Sequence, residues 1–134
     1  MESMTVDYSG KYEFHAKVRG HEIVSDQPVA KHGEDHGPTP PELLIASLGS
    51  CIAIYAVFFA EKHPEISLAG MKVELEWERA EGPTRIGEIR AKVTIPGGVP
   101  ERFRDALQRS MEACLIHNTL LHGPKVEVTL KSVS

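Results

Sequence analysis

Between Leu43 and Ala60 the chain runs for 18 residues without a formal charge. That is the length at which a helix becomes a candidate for crossing a membrane. Both ends of the segment are marked. Thr39-Pro40-Pro41-Glu42 combines an N-cap threonine, proline at the first helical position and a glutamate at the capping-box spacing, so the helix should begin at Pro40. Lys62-His63-Pro64 supplies basic character and then a residue that cannot continue a helix, so it should end near Lys62. Ser47, Gly49, Ser50 and Cys51 interrupt the run, and its neighbours are amphipathic, which argues against a membrane span. A helix that is apolar on all sides belongs at the centre of a core. At 1.5 Å per residue it is about 33 Å long, more than a chain of this size comfortably covers. A second copy of the chain is the natural source of the missing cover.

Alternation around this helix predicts strands. Tyr12, Phe14, Ala16 and Val18 alternate with Lys11, Glu13, His15, Lys17 and Arg19, and Gly20 offers a turn into a short strand from His21 to Ser25. Val73, Leu75 and Trp77 alternate with charged residues, and Ile89, Ala91, Val93 and Ile95 alternate with Glu88, Arg90, Lys92 and Thr94, with a loop around Gly82-Pro83 between the two runs. From Pro100 to about His117, Phe103, Leu107, Met111, Cys114 and Leu115 fall at helical spacing on one face, with Cys114 near the C-terminal end. Val126, Val128 and Leu130 alternate with polar residues and predict a final strand. The expected order is β-β-α-β-β-α-β, an α+β fold in a single domain over residues 1–134, with helices on one side of the sheet. The length suits one domain.

Charge removes some classes of partner. Nineteen acids against 15 Lys and Arg give a formal charge of −4, which offers no basic footprint for nucleic acid or an anionic membrane. The first residues, Met1-Glu2-Ser3-Met4-Thr5-Val6-Asp7-Tyr8, show no cationic stretch leading into an apolar run, so the expected location is cytoplasmic. In that reducing compartment a pair of cysteines is more often catalytic or redox-sensing than a structural staple.

There are two cysteines, Cys51 and Cys114, 63 positions apart, each in an apolar helical segment. Small residues surround Cys51 and open room for a reactant. A redox pair is one reading; plain core packing is the other, since a free cysteine behaves as a small hydrophobe. The loop Val29 to Pro38 holds His32, Glu34, Asp35 and His36. Its glycines do not allow the four-residue spacing to set both rings on one helix face, and no thiol is near in sequence, so a solvated loop is expected rather than a metal site. No phosphate-binding glycine loop, paired-carboxylate signature or nucleophile-elbow serine is present, and no cofactor is expected.

Two segments carry a family resemblance. Gly37-Pro38-Thr39-Pro40-Pro41-Glu42-Leu43-Leu44-Ile45-Ala46-Ser47-Leu48-Gly49-Ser50-Cys51 looks like the region around the first cysteine of the OsmC and organic hydroperoxide resistance family. Ala113-Cys114-Leu115-Ile116-His117-Asn118-Thr119-Leu120 resembles the region around its second, at a similar separation. The resemblance implies an intertwined homodimer with the long helices at its centre and active sites at the subunit interface. It also implies reduction of organic hydroperoxides, with Cys51 attacking, Cys114 resolving, and a dithiol such as a lipoylated protein as reductant.

In the peroxidase branches an Arg and a Glu near the first cysteine activate it. The candidates here are Arg19, the cation that fits best by location, and Glu42, with Arg85 and Arg90 as alternatives; the plainer readings are an exposed strand-end Arg for Arg19 and, for Glu42, a cap that explains it sufficiently. The branch dedicated to hydroperoxide resistance has its Glu ten positions before the cysteine, where this chain has Pro41, so the chain resembles the broader OsmC-like branch. His117 is expected either to assist Cys114 or to meet free carbonyls at a helix end. Two other functions suit the same fold: a dimer that binds a small apolar ligand or thiol-bearing metabolite without turnover, and a thiol redox sensor.

Overall fold

A computed structural model describes residues 1–133. Strands β1 (Thr5–Gly10), β2 (Glu13–Val18) and β3 (His21–Ser25) form an antiparallel sheet in that order. A single 3-10 turn, Val29–Lys31, lies in the loop leading to α1 (Pro40–Glu61). Strands β4 (Lys72–Ala80) and β5 (Arg85–Thr94) make a second, two-stranded sheet, followed by α2 (Glu101–Glu112) and α3 (Leu115–Leu121). Two compact units result: Met1–Ser47 with Glu78–Glu88, and Leu48–Trp77 with the chain from Ile89 on.

In the first unit, the β2–β3 connection is a two-residue turn with Arg19 at φ 49° and Gly20 at φ 78°. Positive φ at both central residues is the hairpin geometry that matches strand twist, and glycine adopts it freely. The register sets Val6 opposite Ala16 and Ala16 opposite Ile23, with Tyr8 opposite Phe14. These residues share one face, while Asp7, Glu13, His15, Lys17 and Glu22 share the other. The apolar face is not covered within the chain, since Val6, Tyr8, Phe14 and Ile23 are all exposed. Past β3 the loop folds back on itself. Gly33 and Gly37 permit this, because a Cβ at either would lie 2.0 Å from the Gln27 carbonyl oxygen or 2.3 Å from that of Val24.

The N-terminus of α1 carries the expected capping box. The Thr39 N–H donates to Glu42 Oε1 at 2.8 Å, and the Glu42 N–H donates to Thr39 Oγ1 at 3.4 Å. The Thr39 N–H bond is the largest influence holding the Glu42 carboxyl below its ordinary pKa, so it caps in the ionised form.

In the second unit, α1 and α2 pack through aromatic rings. Phe103 on α2 lies 6.1 Å from Phe59 and 4.5 Å from His63, with Arg102 stacked 4.6 Å above its ring. The Ser110 hydroxyl donates to the Tyr55 carbonyl at 3.2 Å, Leu107 is buried, and Ile66 is buried in the segment after α1. Gly49 leaves space for β4, since a Cβ there would stand 2.8 Å from Leu75 Cδ1.

Four expectations need correction. Strand β1 is additional, because its short Val6 and Tyr8 pattern gains a ladder only by pairing with β2. There are two small sheets rather than one. The helix expected from Pro100 to His117 ends at Glu112, because Cys114 takes an extended conformation (φ −63°, ψ 144°) that starts a new helix. The final strand is not formed: residues 124–133 have no regular structure, with Val126, Val128 and Leu130 exposed at 77%, 92% and 93%. An alternating segment becomes a strand only where an edge accepts its hydrogen bonds.

Replacing the cap tests the start of α1. Thr39→Ala should lower the urea-unfolding free energy by roughly 1 kcal/mol. Because Glu42 titrates below an unfolded glutamate, its contribution is present above the unfolded value and lost as pH falls through the folded one. The difference between parent and Glu42→Gln should therefore shrink in acid; a difference independent of pH would refute a cap made by ionised Glu42.

Candidate active site

Folding brings the two cysteines together. Cys51 lies in the middle of α1 among small residues, and Cys114 directly precedes α3 as its N-cap. The two thiols are close enough that Cys51 acts on the titration of Cys114, and both are free. They differ in access: Cys51 is half-buried, whereas Cys114 is 0% exposed.

The break at Cys114 gives its sulfur a backbone partner. The His117 N–H donates to Cys114 Sγ at 3.2 Å, as an N-cap side chain receives the orphan N–H of the first turn. This is how His117 reaches the thiol: the structure records a contact from its backbone. Burial, reinforced by Cys51, raises the Cys114 pKa, against the opposing pull of the His117 and Ile116 N–H groups. Cys114 is therefore a neutral thiol beside Cys51.

The other candidates have local placements. Glu42 is engaged in the cap of α1. Arg19 stands exposed at the β2–β3 turn. Arg85 Nη1 donates to the carbonyls of Glu81 at 3.1 Å and Pro83 at 2.9 Å, closing the β4–β5 connection, and Arg90 lies within β5.

The polar face of the first sheet holds a group that the sequence reading does not assemble. Glu13, His15, Asp26 and His36 come from β2, the residue after β3 and the loop before α1. His32, which sequence spacing pairs with His36, instead ends the 3-10 turn in an exposed left-handed conformation (φ 72°). The alternation that exposes Glu13 and His15 on one strand face is the signal available; their meeting with Asp26 and His36 requires the loop to fold back.

A sequence model of OsmC-like proteins matches residues 33–129, and the chain belongs to that family. Solved structures agree. A protein of Psychrobacter arcticus named for osmotic stress induction and detoxification response is 25% identical, with a TM-score of 0.78 over 89% of this chain and 88% of that one. An OsmC-like protein of Mycoplasma pneumoniae is 18% identical with a TM-score of 0.77, covering 92% and 89%. An organic hydroperoxide resistance protein OsmC of Legionella pneumophila is 18% identical with a TM-score of 0.66, covering 90% of each chain. No individually curated protein matches the chain. The long apolar helix is thus an element of an α+β OsmC-like fold, although its length and composition alone would also suit a membrane span.

Burial and protonation should separate the thiols chemically. Near neutral pH, limiting iodoacetamide should label Cys51 at least about tenfold faster than Cys114, because alkylation needs an accessible thiolate. Since the Cys114 pKa is raised on folding, its neutral form favours the folded state below the unfolded thiol value, and that stability is lost as pH rises through the folded value. Labelling of Cys114 should accelerate over the same alkaline range. Equal rates by peptide mass mapping near neutral pH would contradict this arrangement.

Proposed function

We propose that this protein is a cysteine-based peroxidase that reduces organic hydroperoxides. Membership of the OsmC-like family supports a stress-related redox role, and the proximity of two free thiols, Cys51 half-buried and Cys114 buried, is the observation that carries the finer reading. Cys51 is the attacking residue because it has access to a dissolved reactant; Cys114 needs only to meet Cys51. The Cys51 thiolate attacks the distal oxygen of ROOH, the O–O bond breaks, and RO⁻ takes a proton and leaves as the alcohol. Cys51 is then a sulfenic acid. The Cys114 thiol condenses with it, releasing water and forming the Cys51–Cys114 disulfide. A dithiol reductant, such as a lipoylated protein, restores both thiols and leaves as its own disulfide.

Attack requires the thiolate, and Cys51 lies more than two turns from the start of α1, where the helix dipole has faded. The resemblance to the peroxidase branches of the family implies a cation to stabilise it and a carboxylate to orient that cation, roles for which Arg19 and Glu42 are the candidates. The pocket is assigned to apolar residues of α1, Ile54, Tyr55 and Phe58, which favours alkyl or lipid hydroperoxides over hydrogen peroxide. The working form is an intertwined homodimer in the cytoplasm. Its support is the uncovered apolar surface: Ile54, Val57 and Phe58 on α1 are exposed at 46%, 39% and 48%, beside the unpaired alternation of the C-terminal segment.

Mixing the reduced protein with one equivalent of cumene hydroperoxide should remove both free thiols and two hydrogens from the intact mass. Cys114→Ser should trap a sulfenic acid, Cys51→Ser should not react, and hydrogen peroxide should compete poorly. A parent that keeps both thiols for minutes would end the peroxidase reading and turn attention to a ligand-binding dimer. Light scattering provides a separate check, with twice the 14.8 kDa chain mass expected in solution. A single-chain mass at working concentration would exclude the dimer.

A further inference from the structure

The polar face of the first sheet and the loop folded after β3 concentrate ligating atoms outside the cysteine pair. One ligand atom each from Glu13, Asp26 and His36 lies within 4.8 Å of the other two. The three residues come from separate segments, so local sequence does not account for their meeting.

Asp26 is the fixed member. It is 1% exposed, and its carboxylate accepts the N–H groups of Gln27 at 2.7 Å, His36 at 3.1 Å and Glu34 at 3.3 Å. A carboxylate offers about four lone-pair sites, so these bonds leave capacity for a further partner. Glu13 is held between two rings, with Oε1 at 2.5 Å from His36 Nδ1 and Oε2 at 2.6 Å from His15 Nε2. The other His15 nitrogen meets Glu22. Glu34 Oε2 lies 3.8 Å from His36 Nε2, and its other oxygen pairs with Lys11. Setting Glu34 against Lys11, three carboxylates face two imidazoles, so the group is negative in any protonation state of the rings.

We propose that Glu13, Asp26 and His36 form a binding site for one divalent transition-metal ion of the Zn²⁺ class. One imidazole with two carboxylates is a mixed nitrogen and oxygen set that suits such an ion better than Mg²⁺ or Ca²⁺. Tetrahedral zinc ligands sit about 3.4 Å from one another; His36 Nδ1 stands 2.5 Å from Glu13 Oε1 and 3.9 Å from Asp26 Oδ2, which brackets that spacing, and water would take the fourth position. His15 is a positioning residue: bonded to Glu22 on one side, it orients Glu13 on the other. The ion would fasten the loop before α1 to strand β2.

The test is calorimetric titration of Zn²⁺ into the reduced, chelator-treated full-length protein. A Cys51→Ser/Cys114→Ser variant runs in parallel to remove thiol binding. One ion per chain is expected in both, with His36→Gln and Glu13→Gln each weakening it at least about tenfold and circular dichroism unchanged. Co²⁺ in the parent should give visible ligand-field bands without the near-ultraviolet thiolate band, a readout that does not depend on the variants folding. The proposal is overturned if Zn²⁺ does not bind, if binding disappears with the thiols, if His36→Gln and Glu13→Gln bind as the parent does, or if equimolar Mg²⁺ displaces the ion.

Discussion

The rest of the architecture depends on the need to cover a helix that is apolar on every side. A 22-residue helix of this composition cannot present one face to water without leaving hydrophobic area exposed, and the single chain covers it only in part. Leu48 and Ala56 are buried, whereas Ile54, Val57 and Phe58 are not. The apolar face of the three-stranded sheet and the C-terminal Val126, Val128 and Leu130 share this incompleteness. Three separate surfaces of one chain thus leave apolar area exposed, which is the physical support for the proposal of two copies.

The cysteine chemistry follows from the same helix. Its middle is lined by small residues, so Cys51 occupies a place that a larger neighbour would fill, and the turn that ends α2 delivers Cys114 to it. Burial then distinguishes the two thiols: Cys51 keeps access, while Cys114 is enclosed and its pKa is raised. The His117 and Ile116 N–H groups temper this by solvating the Cys114 sulfur. The pair is asymmetric before any oxidant arrives.

What was legible in the sequence was local. The bounds of α1 follow from Thr39, Glu42 and Pro64, whose effects act within a turn, and β3 was bounded by Gly20 and the end of its alternation. The break between α2 and α3 was not legible, because Met111-Glu112-Ala113-Cys114-Leu115 contains neither Gly nor Pro; the cysteine itself serves as the cap. The final strand failed for the opposite reason, since its pattern is clear but no edge within the described residues accepts it. The group at Glu13, Asp26 and His36 was invisible to spacing because its members are joined by a folded-back loop. Of the candidate site, the meeting of Cys51 and Cys114 was anticipated from the family resemblance, while the backbone contact from His117 was not.

That contact makes Cys114 a structural joint, whatever its thiol reacts with. The lone pairs that receive the His117 N–H are on the atom that would bond to Cys51, so forming that bond reshapes the acceptor on which the first turn of α3 rests. Sulfur chemistry at Cys114 and the geometry at the head of α3 thus meet at a single atom.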